Sequence, residues 1–228
     1  MTLGIETSTK TSSVAVLRDD SIACEISTQT TAFHSETLVE HIAFALKAAN
    51  AKRQDLTGIA VDIGPGSFTG LRIGLATAKA MAYALDIPIV GVAATAVLAR
   101  GLWGAGRKIY ALIDAQKMSA YVEGFVFAGD RLQSLAPVEI IPLKNFAAQL
   151  ENSDDCILTG DAADKIDGSL LPPKSLLAPA DKLMPKGASV ALLGASRLAN
   201  GEADDLMTLA PLYLRRSEAE ILWERRHG

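Results

Sequence analysis

One arrangement of short runs occurs twice along the chain, and it limits the fold more than any other feature. From Thr2 to about Ser27 three β-like stretches, TLGIET, SSVAVL and SIACEIS, are parted by Ser, Thr and Lys and then by Asp19-Asp20. Short runs of this kind, bounded by turn formers, predict a meander of adjacent antiparallel strands. After Trp103-Gly104-Ala105-Gly106 the pattern restarts as KIYALIDA, AYVEGFVFA and RLQSLAPVEI. Both triplets lead into helical periodicity, so the chain reads as an α/β protein made by internal duplication. The halves run from 1 to 104 and from 105 to 228, and the last segment of the second can pack back on the first.

In the first half, HSETLVEHIAFALKAAN places Leu38, Ile42, Ala45, Leu46 and Ala49 at helical spacing, with Ser35 as N-cap and Lys47 near the end. That is an amphipathic helix. TGIAVDI, a helix from Phe68 to about Leu85 and the strand IPIVGV then make a β-loop-α-β unit, the connection that lays strands down in parallel. A short apolar helix from about Ala94 to Leu102 follows. In the second half a helix near Leu143 to Glu151, a strand CILTG, a loop-rich passage with Pro172, Pro173, Pro179 and Pro185, and a helix near Ala188 to Ala199 precede the tail PLYLRRSEAE.

Composition narrows the function. The 228 residues are 49% hydrophobic and 21% charged, and the net charge of -4 gives no basic field for gripping a nucleic acid. Cys24 and Cys156 stand far apart, in no metal-ligand or redox spacing, which fits a reducing compartment. The chain enters its first strand without a basic leader and has no uncharged apolar run of about 18 residues, so no signal peptide or membrane span is expected and the predicted location is the cytoplasm.

The glycine-rich stretch IGPGSFTGLRIGLATAKAMA poses the functional question. A Walker loop needs GxxxxGK[ST], which neither Gly64 nor Gly66 begins, and a dinucleotide fingerprint needs a third glycine where Thr69 stands. Gly70 and Gly74 lie inside the predicted helix, where each costs about 1 kcal/mol relative to alanine. With Ala78 and Ala82 they form a row of small residues on one helix face. Such a row admits either a close neighbouring helix from a partner or the chain's own sheet and its 35–49 helix.

Other candidates are weaker. His34 and His41 are seven residues apart, about 10 Å along a helix, too far for one helix to hold a metal between them. Asp114 closes the strand KIYALID and Asp62 nearly closes TGIAVDI, positions where α/β folds often place functional carboxylates, but neither has a catalytic companion in sequence. Ser67 lacks the GxSxG elbow of a hydrolase. The hydroxyl-rich turn Thr7-Ser8-Thr9 can hydrogen-bond a phosphate or satisfy its own backbone.

IETST, IGPGSFTGLRIGLATAKAMA, IDAQKMSAYVEGF and PLYLR, in that order, resemble the TsaB (YeaZ) family over nearly the whole chain. The resemblance implies a two-lobed fold like that of actin and Hsp70, each lobe a mixed sheet with flanking helices. It also implies a non-catalytic subunit of the machinery that makes threonylcarbamoyladenosine beside the anticodon of tRNA, supporting the catalytic paralogue TsaD. TsaD carries an HxxxH metal motif where this chain reads AATAVLA, Ala93 to Ala99, so no metal is expected here. The helix after GPGSFTG and the one before it would bundle with the same helices of TsaD or of a second copy, making Gly70, Gly74, Ala78, Ala82 and His41 the expected contact residues. TsaE is the further partner implied, tRNA is reached only through the complex, and ATP or ADP is a candidate only at the complex interface. Thr7, Ser8 and Thr9 remain weak phosphate candidates. Relatives read D-A-R after the strand that ends at Asp114, whereas Gln116 stands here, which leaves that arginine's role without a carrier. The alternative is an ATP-binding transferase or peptidase of the actin-like superfamily acting on its own.

Overall fold

The computed structural model describes residues 1–29, 34–150, 155–215 and 223, without the side chains of 34–36 and 170. The first sheet begins with the expected meander, β1 (Thr2–Glu6), β2 (Thr11–Arg18) and β3 (Ser21–Gln29). β4 (Gly58–Gly64) joins parallel to β1, and β5 (Ile89–Ala93) parallel to β4, giving the order β3-β2-β1-β4-β5. β2 is buried along almost its whole length because helices cover both of its faces, whereas edge strand β3 alternates between exposed and half-buried positions.

Period-two alternation sorts the sheet's side chains between two layers. Leu3, Ile5, Val14, Val16, Ile59 and Val61 meet Leu38, Ile42, Ala45 and Leu46 of α1 (His34–Ala48) and the inner face of α2 (Phe68–Leu85). Ala60, Val90 and Val92 face the other way, toward Val97 and Val190. Val97 belongs to α3 (Ala94–Arg100), whose Ala94, Leu98 and Ala99 also pack on Ile109, Ile113, Tyr121 and Phe125 of the second sheet. One short helix thus joins both sheets through apolar contact.

The second sheet holds β6 (Lys108–Asp114), β7 (Ser119–Ala128), β8 (Arg131–Ser134), β9 (Glu139–Pro142), β10 (Cys156–Thr159) and β11 (Leu176–Leu177), with α4 (Leu143–Leu150) between β9 and β10. Its order is β11-β10-β6-β7-β8. The run RLQSLAPVEI, expected as one strand, is two: β8 pairs with Phe125–Ala128 and β9 with Ser119–Val122. Pro137 lies between them and lacks the N–H that a continuous ladder would need.

α5 (Gly187–Ala199) follows the second sheet in sequence but packs on β1, β2 and β4 of the first. Two side chains of that sheet receive its first amides: Ser13 Oγ accepts from Gly187 N at 2.9 Å and Glu25 Oε1 from Ala188 N at 2.8 Å. The carboxylate therefore sits at the positive end of the helix dipole. The chain then returns along the first lobe, where Asp204 bridges to Ile89 and the Leu212 N–H bonds the Ile63 carbonyl at 2.7 Å. No helix among the described residues is long and apolar enough to cross a membrane.

Candidate functional site

The small-residue face of α2 lies inside the molecule. Gly70, Gly74, Ala78 and Ala82 are all buried by their own chain, the two alanines in the core shared with α1 and the sheet. A Cβ on Gly70 would overlap the Thr7 carbonyl oxygen, and one on Gly74 the Thr7 hydroxyl. Thr7 Oγ1 in turn donates to the Gly70 carbonyl at 2.8 Å. The glycines let the first turns of α2 settle onto the Thr7-Ser8-Thr9 turn, and the dispersion and hydrogen bonding gained there offset their helix cost. The expectation that these four residues meet a partner is corrected, because their face is already filled.

The phosphate reading of the turn meets the same difficulty. Thr7, Ser8 and Thr9 are buried, Ser8 Oγ donates to Glu6 Oε1 at 2.6 Å, and Thr9 Oγ1 accepts from Thr11 N at 3.2 Å. Each hydroxyl is already engaged within the chain, those of Ser8 and Thr9 locally and that of Thr7 with the Gly70 carbonyl. The glycine loop is tied to that turn as well, since Ser67 N donates to Ser8 O at 2.6 Å while Ser67 Oγ caps α2 at Gly70 N.

Beneath the two loops lies a pair of carboxyl groups. Glu6, at the end of β1, and Asp62, two residues before the end of the parallel strand β4, are fully buried. Glu6 Oε1 accepts from Ser8 N at 2.7 Å, and Asp62 Oδ1 from Gly64 N at 2.6 Å. Burial, and then the neighbouring Glu6 carboxylate, hold the Asp62 carboxyl well above the ordinary range, so the pair shares a proton. With no exposure it cannot reach a substrate, and its work is to hold both loops. The linkage has a definite sign. Asp62 keeps in the folded state a proton that the unfolded chain releases above about pH 4, so its contribution is full below that pH and is lost as pH rises through the native value. Asp62→Asn, which places an amide donor beside Glu6, is expected to gain melting temperature relative to wild type as pH rises from about 4 toward 8. Parallel melting curves across that range would contradict the shared proton.

Between the lobes the loops line a cleft of about 460 Å³, with Ser8, Lys10 and Ser67 on one wall and Asp114, Gln116, Tyr121 and Asp161 on the other. Asp114 is paired with Lys165 at 2.8 Å and accepts from Gln116 N at 2.9 Å. Burial raises its carboxyl, but the Lys165 ammonium and the Gln116 N–H outweigh that and hold it below the usual range. Burial pushes Asp161 up instead, and Asp161 Oδ1 accepts the Asp114 N–H at 2.8 Å. Gln116 opens a run of three residues with positive φ, Gln116, Lys117 and Met118, that turns β6 into β7. Among the described residues no group of three His, Cys, Asp or Glu is placed to hold a metal.

The outer faces of α1 and α2 form an apolar groove of about 970 Å³. Val39, Ala43, Leu46 and Lys47 line it from α1, Thr77, Ala80, Met81 and Ala84 from α2, and residues 50–55 close one end. Val39, Phe44 and Tyr83 are exposed large apolar side chains on these two helices. Exposed apolar surface of this kind marks an interaction site more often than chance. His41 lies on α1, half-buried, with its Nδ1 in no hydrogen bond among the described residues. His34 Nδ1 and Nε2 belong to a side chain outside the description.

Comparison with known proteins decides the family. The family model described as TsaD, tRNA N6-adenosine threonylcarbamoyltransferase, matches residues 25–223. The tRNA threonylcarbamoyladenosine biosynthesis protein TsaB of Bacillus subtilis is 31% identical over 226 residues, 97% of this chain and 96% of that one. The chain belongs to the TsaB (YeaZ) family. YeaZ from Pseudomonas aeruginosa shares its fold with a TM-score of 0.80 at 24% identity, over 93% of this chain and 99% of that one. Component A of the (R)-2-hydroxyglutaryl-CoA dehydratase of Acidaminococcus fermentans matches with a TM-score of 0.51 at 12% identity, over 87% and 98% of the two chains. The fold is therefore the two-lobed actin-like one, and the TsaB resemblance read from GPGSFTGLRIG holds.

Within this TsaB-family chain, Ala93–Ala99 occupies the end of β5 and most of α3, where Ala94, Thr95, Val97, Leu98 and Ala99 are buried. Sequence reasoning missed two groups of residues. Glu6 was passed over beside Asp62, because the β-loop-α-β pattern makes β4 and β5 neighbours but gives no sign that β1 lies on the other side of β4. The outward residues Thr77, Ala80, Met81 and Ala84 were obscured by the more conspicuous glycine row on the same helix.

Proposed function

We propose that the chain is an accessory subunit in the formation of threonylcarbamoyladenosine on tRNA, and that it binds and supports the catalytic subunit TsaD through the α1–α2 groove. The observation that carries this reading is the groove itself, an apolar concavity between two neighbouring helices of a chain whose family name is that of the biosynthesis. The non-catalytic role is supported by the buried apolar helix at Ala93–Ala99 and by strand-end carboxylates that are either fully buried or engaged by Lys165. TsaE completes the set of partners, and a second copy of the chain competes with TsaD for the groove. With the Thr7–Thr9 hydroxyls occupied, ATP or ADP binds only where the assembled complex adds contacts.

Reconstitution from purified TsaD, TsaE, tRNA and threonylcarbamoyl-adenylate tests this reading. Modified nucleoside is expected with this chain present and not when TsaD is omitted. Turnover by this chain without TsaD would favour the independent transferase instead. A net charge of -4 also predicts that the isolated chain binds tRNA only non-specifically, with a Kd of about 10⁻⁴ M or weaker at physiological salt. Micromolar binding in a filter or fluorescence assay would contradict this.

A further inference from the structure

The segment from Asp204 to Arg215 ends across the interlobe cleft, and we propose that it is a latch that sets how far the cleft opens. On the first lobe, Leu212 N bonds Ile63 O at 2.7 Å, the Tyr213 ring stacks on Phe68 with centroids 4.7 Å apart, and Tyr213 OH accepts from Arg72 Nε at 3.0 Å. Arg72 also lies over the Phe68 ring, 3.9 Å from its centroid. Two residues further on, Arg215 reaches the second lobe and donates from a terminal guanidinium nitrogen to the Ala115 carbonyl at 2.7 Å. Leu212, Tyr213, Leu214 and Arg215 all line the cleft.

The two ends of the interlobe contact differ in kind. At α3 the lobes share a buried apolar cluster and the Thr95–Glu123 hydrogen bond of 2.5 Å, a contact that can act as a pivot. At the cleft mouth a polar gap is spanned by the Arg215 side chain, anchored through Tyr213. Lobes joined by packing at one side and by a side-chain bond at the other open at the bonded side when that bond is lost.

Hydrogen exchange on the full chain tests the latch, read at the cleft amides Ser67, which bonds Ser8 O, Ala115, which bonds Ser119 O, and Ser119, which bonds Gln116 O. Arg215→Ala is expected to speed exchange there by about tenfold while the amides of α1 keep their wild-type rates. Arg215→Lys, which retains the charge and a donor on a flexible stem, should give a smaller increase at the same amides. Unchanged cleft exchange in Arg215→Ala would overturn the proposal. So would an equal acceleration in α1, or failure of both variants to fold, since either makes Arg215 a general stabilising residue.

Discussion

Gly74→Leu is expected to lower the melting temperature of the isolated chain by about 10 °C, the cost of about 3 kcal/mol or more for forcing a branched side chain into a filled core in a domain of this size. The site is occupied by Thr7, whose hydroxyl a Cβ at 74 would overlap and whose bond to the Gly70 carbonyl the larger side chain would break. Leucine's better helix propensity returns nearly 1 kcal/mol, about a third of the loss. Gly70→Ala should be worse than Gly74→Ala, since at 70 the Cβ meets the Thr7 backbone carbonyl, which cannot rotate away as a hydroxyl can. Thermal melts of the three variants check this. A Gly74→Leu chain that melts at or above wild type, but no longer binds TsaD, would return the glycine row to the partner interface.

Much of the fold was legible because it rests on local signals. β-branched runs between turn formers marked the two meanders, and the 3.6-residue spacing of Leu38, Ile42, Ala45 and Ala49 marked α1. The destination of α5 was less so, because its choice of sheet depends on Ser13 and Glu25, 174 and 163 residues away from the amides they receive. The row of small residues on α2 was assigned to a partner, whereas the chain's own turn fills that face. Gly70, Gly74, Ala78 and Ala82 show that something comes close, but a row of small residues has the same period whether a partner or the chain's own turn approaches it. Only the placement of Thr7 separates the two. The GPGSFTG loop fails both nucleotide-loop spacings in the sequence, but only the Ser67–Ser8 and Ser67–Gly70 hydrogen bonds show what its polar groups do instead. PLYLR was visible as a motif, yet no spacing in it indicates that its tyrosine stacks on Phe68 while its arginine reaches the opposite lobe.

Ala80→Arg has the opposite profile to Gly74→Leu. Ala80 is exposed on the outward face of α2 and lines the groove, so the free chain can extend an arginine there into water. Its stability should stay within about 0.5 kcal/mol of wild type, as for most surface substitutions. In the complex the same side chain would displace apolar packing and bury an unpaired charge, costing about 3 kcal/mol or more. Calorimetric titration of TsaD with wild-type and Ala80→Arg chains, each shown to keep its fold by a thermal melt, decides whether this groove is the docking surface. A drop in affinity of about a hundredfold or more at unchanged melting temperature is the predicted result, and wild-type affinity in Ala80→Arg would contradict it.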